Sequence, residues 1–206
     1  MKEMEIKNEG QGRMFRNEFL EMLTKAPAPV SASLYTAISL GMVWVAWQRG
    51  VAESMGTALG VVLFAFFFWT FFEYVFHRYV NHLDEYFPGS ELAHRIAHTL
   101  HGIHHEYPRD RERLMMPPVP GLIVIALLYG GFRLAMGDWV YLFMPGFMTG
   151  YMIYAYIHIC VHRSKVPSVL KTQYRHHAIH HYKHPDKAYG VSTTFWDRVF
   201  GTMPSE

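Results

Sequence analysis

Apolar residues along the chain form four long windows that contain no charged residue. The first has 23 residues and the others have 19 each: Ala26–Gln48, Ser54–Phe72, Leu114–Phe132 and Trp139–Ile157. A helix needs about 20 apolar residues to cross the hydrocarbon core of a bilayer. The pattern therefore predicts an all-α integral membrane protein with transmembrane helices at about 30–48, 56–76, 117–135 and 139–160.

Four buried helices of a soluble bundle are the alternative to four membrane spans. Charged residues make up only 17% of the 206 residues, whereas soluble domains carry about 25%. Such a chain has too little polar surface to cover four apolar helices, so we favour membrane spans.

Lys and Arg are unevenly distributed among the polar segments between these windows. Five lie in residues 1–25, five in 73–113 and seven in 163–206, whereas two short turns hold one each, Arg49 and Arg133. Cytosolic segments of membrane proteins carry the excess of Lys and Arg. The bias therefore predicts a multi-pass protein with two helical hairpins and with both termini in the cytosol.

The polar segments complete the predicted organisation. Residues 1–25 are predicted to be a cytosolic amphipathic segment without a cleaved signal peptide. A membrane-surface helix within residues 12–25 would use the apolar side chains Met14, Phe15, Phe19, Met22 and Leu23. Residues 26–206 are predicted to be a single domain, in which segments 77–113 and 161–206 lie in the cytosol.

Histidines are concentrated on this predicted cytosolic side, since all 14 lie between His77 and His184. Four groups contain most of them: HRYVNH (77–82), HGIHH (101–105), HICVH (158–162) and HHAIHH (176–181). Helical residues three or four apart share a face, which HICVH, HGIHH and HAIHH satisfy. His77 and His82 are about 140° apart on an ideal helix. These two can meet only across a π-bulge or a helix end, and the end of the span favours a helix end.

Grouped imidazoles predict a metal centre, because neutral imidazole is a common ligand for iron, zinc, copper and nickel. Ten nitrogens exceed the needs of one ion, so we expect two metals. The ten candidate ligands are His77, His82, His101, His104, His105, His158, His162, His177, His180 and His181. The alternative to a metal centre is that each histidine has a separate role, as a helix cap or a core residue. We prefer this alternative for His94, His98 and His184.

Residues that orient the ligands are also expected near such a site. His176 is either a ligand or a donor that orients one. The acidic candidates for fixing the orientation of an imidazole are Glu73, Asp186 and Asp197. The alternative is that these residues are exposed charges, which need no role.

Other chemistries lack support in the sequence. The single cysteine, Cys160, excludes Cys-based zinc sites and iron–sulfur clusters. HExxH, P-loop and dinucleotide motifs are missing, so electrons must come from a partner. The net charge of +2 gives no basic field for nucleic acid. A site built almost wholly from histidine is typical of redox-active iron.

Four stretches of the chain resemble the membrane fatty acid hydroxylase superfamily, which includes sterol desaturases and carotenoid hydroxylases. The stretches are WTFFEYVFHRYVNH (69–82), HGIHHEYPRDRERLMMPP (101–118), GYMIYAYIHICVH (150–162) and HHAIHHYKHPDKAYGVSTTFWDRVFGT (176–202). Fatty acid 2-hydroxylases are the most similar members, and the MMPP and FWDRVFGT strings are more specific than any histidine group alone.

This resemblance implies a four-span fold capped by a cytosolic helical histidine-rich dimetal domain, with the ten histidines as ligands. It implies two iron ions, which zinc can replace on purification, and O2 as co-substrate. The implied reaction is hydroxylation at C2 of a free fatty acid, an acyl group or a ceramide N-acyl group. The implied membrane is a bacterial inner membrane or the endoplasmic reticulum.

Some members carry a fused cytochrome b5-like domain, for which residues 1–25 are too short. We therefore expect a separate electron donor, either cytochrome b5-like or a ferredoxin with its reductase. Two alternative functions stay open: oxidation of a sterol or carotenoid at the same site, and metal binding without catalysis.

Aromatic residues are candidates for enclosing the substrate, with ordinary packing and lipid contact as the alternative. Those that would line an acyl channel are Phe67, Phe68, Phe71, Phe72, Tyr151, Tyr154 and Tyr156. Those that would close the site, or anchor a helix at the membrane interface, are Tyr189, Phe195, Trp196 and Phe200.

Overall fold

The computed structural model describes residues 6–204, which form ten α-helices and no β-strand. The long helices are α2 (Ala28–Gln48), α3 (Met55–Val75), α7 (Pro118–Met136) and α8 (Val140–Val161). The short helices are α1 (Glu18–Leu23), α4 (Leu83–Tyr86), α5 (Glu91–Ala97), α6 (Ile103–Glu106), α9 (Lys171–Tyr182) and α10 (Phe195–Val199). The all-helical prediction is confirmed for this part of the chain. Residues 1–5 and 205–206, which belong to the predicted cytosolic termini, lie outside it.

Local sequence signals fix where the long helices begin. Pro residues stand at the first positions of α2 and α7, where a missing N–H costs no helical hydrogen bond. The Ser54 hydroxyl caps α3 by accepting the N–H of Thr57 at 3.1 Å. All four helices begin and end within a few residues of the predicted windows.

Three helical stretches are long and apolar enough to cross a membrane: Ala28–Gln48, Met55–Asn81 and Pro118–Val161. The last has 44 residues and consists of α7 and α8. These two helices fold back on each other at Gly137, whose φ is +61°. The ring centroids of Phe132 and Phe147 lie 5.6 Å apart, whereas a straight helix would separate these positions by about 22 Å.

Helix α8 lies at the centre of the fold and contacts α2, α3 and α7. Small residues allow α3 to approach it closely. A Cβ at Gly146 would lie 2.3 Å from the carbonyl oxygen of Val62, and one at Gly150 would lie 2.5 Å from the Cβ of Trp69. Small residues at such crossings are typical of helices packed in membranes. The C-terminal end of α8 carries HICVH, so this packing positions one of the histidine groups.

We expect Gly146→Ala to destabilise the protein by about 1–3 kcal/mol, because the added methyl group would push α8 away from α3. Gly130→Ala on α7 is the matched control, because a Cβ there meets no atom within 4 Å. Thermal unfolding in detergent measures both variants. Equal midpoint temperatures for the two variants would show that the α3–α8 contact tolerates an added methyl group at position 146.

The N-terminal segment is less helical than expected, since helix α1 is limited to Glu18–Leu23. The Asn17 side chain caps this helix, and the Glu21 carboxylate accepts the N–H groups of Met14 and Phe15. These bonds hold the preceding residues in a turn. Helix α1 is amphipathic in the described structure: Phe19, Leu20 and Met22 are exposed, while Glu21 is buried beside Arg113.

Candidate metal centre

Ten histidine rings converge in two clusters at one end of α3 and α8. Within each cluster, one nitrogen from every ring lies within 4.8 Å of the others. Site A contains His77, His82, His101, His105 and His180, and site B contains His104, His158, His162, His177 and His181. The structure therefore brings together all ten histidines that the sequence singled out.

The first histidine group reaches site A through an unusual helical turn. A π-helix, Phe76–Asn81, continues α3 without a break. Its i→i+5 hydrogen bonds match the five-residue spacing of His77 and His82, whose ring centroids lie 5.3 Å apart. The preferred expectation, a helix end between these residues, is therefore wrong. The helix ends only at His82.

The HGIHH group is divided between the two sites. A second π-helix, His98–Gly102, leads into α6. His101 and His105, four residues apart, belong to site A, whereas His104 belongs to site B.

The HAIHH group on α9 has the reverse arrangement. His177 and His181 belong to site B, and His180 belongs to site A. Each group thus gives an i, i+4 pair to one site and its remaining histidine to the other, which links the two sites through shared helices.

The two sites also touch directly. The rings of His181 and His105 stack with centroids 4.2 Å apart and an interplanar angle of 24°. Site B is therefore connected to site A through a contact between one histidine of each.

Hydrogen bonds at His82 and His180 test whether the clusters fit a metal. Nδ1 of His82 lies 3.2 Å from the Glu85 carboxylate, and Nδ1 of His180 lies 2.7 Å from the Lys187 carbonyl oxygen. Because both oxygens accept hydrogen bonds, the ring protons are on Nδ1 and the lone pairs are on Nε2. These two Nε2 atoms face each other at 3.2 Å. Two facing lone pairs repel unless a cation lies between them, so the arrangement fits a bound metal.

Nitrogen separations indicate the kind of coordination that the clusters fit. The Nε2 atoms of His77 and His101 are 2.9 Å apart in site A, and those of His158 and His162 are 3.1 Å apart in site B. With metal–nitrogen bonds of about 2.1 Å, ligands at right angles have nitrogens about 3.0 Å apart, against about 3.4 Å in a tetrahedron. In both clusters the nitrogens are thus close enough for one ion to bind several of them.

Burial keeps the imidazoles in the form that ligates metals. Desolvation, followed by the repulsion of neighbouring imidazoles, lowers the pKa of six site histidines well below the ordinary value: His101, His104, His105, His177, His180 and His181. Neutral imidazole is the metal-binding form.

A loop after α9 orients two histidines of site A through its backbone. The carbonyl oxygen of Tyr189 accepts from Nδ1 of His77 at 2.5 Å, and that of Lys187 accepts from Nδ1 of His180. Sequence analysis did not identify these contacts, because every residue type has a backbone carbonyl.

Asp197 holds this loop in place. Its Oδ1 accepts the N–H of Tyr189 at 2.9 Å and the Thr202 hydroxyl at 2.7 Å. Its Oδ2 lies 2.8 Å from the N–H of Gly190 and 3.0 Å from Nε2 of His176. The loop that orients His77 and His180 is thus organised around one buried carboxylate.

Glu73 secures the next two residues of the loop. Its Oε1 accepts the N–H of Val191 at 2.7 Å and that of Ser192 at 2.9 Å, and its Oε2 accepts the Ser192 hydroxyl. The two carboxylates together bind four consecutive amides. They act on site A through the loop, since neither contacts a site histidine.

The predicted orienting residues therefore have different outcomes. His176 lies outside both clusters and contacts Asp197. Asp186 is exposed, and among residues 6–204 its side chain has no hydrogen bond to a site histidine. Glu85, which the sequence analysis missed, contacts His82 three residues earlier in the chain.

Site B has its own backbone support, provided by the residue just before the MMPP string. The carbonyl oxygen of Leu114 lies 3.1 Å from Nδ1 of His158. Two tyrosines fix the adjoining residues: the Tyr151 hydroxyl accepts the N–H of Met116, and the Tyr35 hydroxyl donates to the carbonyl oxygen of Met116, both at 2.8 Å.

The remaining histidines lie outside both clusters. His94 is exposed and contacts Asp84 at 3.2 Å. His98 lies at the start of the second π-helix, and His184 follows α9.

The candidate channel aromatics pack against other residues. Phe68, Phe72, Tyr151 and Tyr154 pack with Trp69 in the core between α3 and α8. Phe67 and Tyr156 are exposed on the outer surface of the helices. Four of these six side chains are thus packed in the core, and two face outwards.

The tail aromatics cover one side of site A and the end of α3. Tyr189 is buried against His77, His82 and His180, and its hydroxyl donates to Glu85 at 3.1 Å. Trp196 attaches α10 to α3 by donating to the Thr70 hydroxyl at 2.9 Å. Phe195 and Phe200 pack on Trp196, and Phe71 contacts Trp196 from α3.

Comparison with known proteins identifies similar chains. The fatty acid hydroxylase family model matches residues 62–202. The ceramide very long chain fatty acid hydroxylase SCS7 of Saccharomyces cerevisiae is 37% identical over 203 residues, which cover 94% of this chain and 50% of that protein. The dihydroceramide fatty acyl 2-hydroxylase FAH1 of Arabidopsis thaliana is 31% identical over 94% of this chain and 80% of its own length.

A mammalian relative and a solved structure are also similar. The fatty acid 2-hydroxylase of Mus musculus is 35% identical over 72% of this chain and 40% of its own length. The solved structure described as full-length scs7p with only the hydroxylase domain visible has a TM-score of 0.85 and 33% identity, and the match covers 96% of this chain and 74% of that one. The chain spans about half the length of the yeast proteins that it matches.

Proposed function

The chain belongs to the fatty acid hydroxylase family, and from this premise we propose that it hydroxylates fatty acyl chains at C2. The substrate is a free fatty acid, an acyl group or the N-acyl group of a ceramide-type lipid. The observation that carries this proposal is the pair of five-histidine clusters at the end of an apolar helical platform. Relatives named as fatty acid or ceramide hydroxylases support it.

The proposed cofactor is a pair of iron ions, one in each cluster, held by the ten histidines. Bound iron would supply the activation of O2 and the removal of hydrogen from the acyl chain. Zinc binds such nitrogen sites more tightly than ferrous iron does, so it can replace iron on purification.

The side chains around the clusters prepare the site for this chemistry. The Glu85 carboxylate and the loop carbonyls keep the ring protons of His77, His82 and His180 on Nδ1, so that Nε2 is free to ligate. Tyr189 packs over three ligands of site A and separates them from water. Nine of the ten ligands are buried, and His162 is half-buried.

We propose that the four long helices cross the membrane as two hairpins and place both termini in the cytosol. The positive charges at one end of the helices and the fold-back at Gly137 support this topology. The membrane is then a bacterial inner membrane or the endoplasmic reticulum.

The depth of the clusters favours C2 over other carbons of the chain. His77 lies in the π-helix that continues α3, and His158 lies in the last turn of α8. In the proposed topology the sites therefore lie at the boundary between bilayer and cytosol. A lipid keeps its polar carbonyl or amide group at this boundary, and C2 is the adjoining carbon.

Electrons are proposed to come from a separate cytochrome b5-like protein, or from a ferredoxin with its reductase. The sequence contains no dinucleotide-binding fingerprint that would let the chain collect electrons from a nicotinamide cofactor directly.

Lipid analysis of cells that express the chain tests the proposed reaction. We expect 2-hydroxylated acyl chains, identified by mass spectrometry, that are absent from cells carrying an empty vector. A changed sterol or carotenoid pool without 2-hydroxylated chains would contradict the proposal and support the alternative substrate class. Unchanged lipids from cells whose purified protein is loaded with iron would support metal binding without catalysis.

A further inference from the structure

A polar cleft of about 310 Å³ opens beside site B. Three ligands of that site line it, His162, His177 and His181, whereas no ligand of site A does. His162 is also the one site histidine that is only half-buried. Site B therefore has an edge that meets the aqueous phase, and site A does not.

Two arginines line the cleft. Arg109 and Arg163 line it, both are exposed, and neither forms an ion pair with an acidic residue within 6–204. No Asp or Glu occurs between Trp139 and Pro185. The same part of the chain contains five basic residues: Arg163, Lys165, Lys171, Arg175 and Lys183. The two charged residues that line the cleft are thus both basic.

Two tyrosines of α9 stand at the cleft. Tyr174 and Tyr182 are two helical turns apart on one side of the helix, and their exposed fractions are 46% and 48%. Tyrosine and arginine are enriched at the centres of protein interfaces, where lysine and glutamate are depleted. The cleft therefore combines a contact surface with a route to a metal ligand.

We propose that this cleft is the docking surface for an acidic electron-donor protein, from which electrons enter site B through His162. The inference rests on the proposed function, since it concerns the reduction of the same metal centre. In each encounter the donor would lose one electron and one of the bound metals would gain it. The oxidation state of the donor's redox centre would rise by one, and that of the metal would fall by one. The stacked rings of His181 and His105 continue the route from site B to site A.

An anionic membrane surface is the competing partner for a basic surface of this kind. The cleft favours a protein donor, because its floor consists of metal ligands, which a lipid phosphate group has no need to reach. Single-sign charge around a recessed site also steers an oppositely charged protein towards it.

A binding measurement tests the proposal without requiring turnover. Zinc-loaded protein in detergent is titrated with two soluble probes, cytochrome b5 and a [2Fe–2S] ferredoxin, at low and high salt. We expect the double variant Arg109→Glu/Arg163→Glu to bind at least one probe about tenfold more weakly than the unaltered protein, with most of the difference lost at high salt.

The double variant Arg16→Glu/Arg95→Glu is the matched control. Both residues are exposed and lie outside the cleft, so the change in net charge is the same. This control should bind like the unaltered protein, and zinc content reports whether each variant keeps its sites. With iron-loaded protein, reduction by the donor should slow by the same factor as binding weakens.

Equal weakening in the cleft variant and the control would contradict the proposal, because net charge alone would then explain binding. Loss of binding to anionic phospholipid vesicles, with donor binding unchanged, would assign the surface to the membrane and also overturn it. Failure of the proposed function has a different signature, since chemically reduced wild-type protein would form no hydroxylated lipid whatever the donor-binding result.

Discussion

Replacing His180 by alanine should abolish lipid hydroxylation and reduce the metal content from two ions per chain to one. Nε2 of His180 lies 3.2 Å from that of His82 and 3.1 Å from that of His105, so this ring is central to site A. Its removal leaves four nitrogens there and frees the Lys187 carbonyl oxygen that accepts from its Nδ1. The substitution changes none of the five histidines of site B.

Product formation and metal analysis on membrane-extracted protein measure both effects. His184→Ala is the control, because this histidine is nearby in the chain and belongs to neither cluster. It should keep two metals and full activity. Unchanged product formation by the His180→Ala variant would remove the last histidine group from the site and contradict the two-cluster arrangement.

The second large effect is expected from Asp197→Asn, which should weaken metal binding at site A by about 10- to 100-fold. The carboxylate is fully buried and binds two loop amides, a hydroxyl and an imidazole. An amide side chain has one acceptor oxygen and presents N–H groups to some of these donors. The loop would shift, and the carbonyl groups that orient His77 and His180 would shift with it.

Chelator titration followed by metal analysis measures this weakening. We expect the variant to lose one metal at a lower chelator concentration than the unaltered protein and to keep the other. Asp186→Asn, at an exposed carboxylate in the same region, should leave both metals in place. Release of both metals together from the Asp197→Asn variant would show that the loop supports the whole fold rather than site A.

Sequence patterns were sufficient to predict the ten converging histidines and the four long helices. Both predictions depend on local properties of the sequence. Charge-free windows mark the long apolar helices, and the number of grouped histidines is larger than separate roles would explain. The partition of the histidines was not predictable in the same way. Spacing places His101, His104 and His105 close together, but which ring joins which site depends on the helices that pack against them.

Contacts that orient the ligands were mostly beyond sequence reasoning. Asp197 was among the acidic candidates, yet it acts through backbone groups of a loop eight residues before it. The carbonyl groups of Leu114, Lys187 and Tyr189 carry no side-chain signal at all. Glu85 was within reach, because it lies three residues after His82 and close enough to contact its ring.

The π-helix at Phe76–Asn81 illustrates the same limit. The spacing of His77 and His82 excluded a regular α-helix and left two solutions. The charge-free window ends before His77, which favoured a helix end. In the structure the helix instead continues from α3 as a π-helix, and this turn brings both rings to site A. Such turns are frequent at functional sites because they redirect side chains without ending the helix.

Incorporation of isotopically labelled dioxygen is the most direct test of the account. Purified iron-loaded protein is given a reduced donor, a ceramide or fatty acid and labelled O2, and the product is examined by mass spectrometry. The two-cluster hydroxylase predicts one labelled oxygen atom at C2 of the acyl chain, and no product from the His180→Ala variant. Product without label, labelled product at another position, or equal labelling by the His180→Ala variant would contradict it.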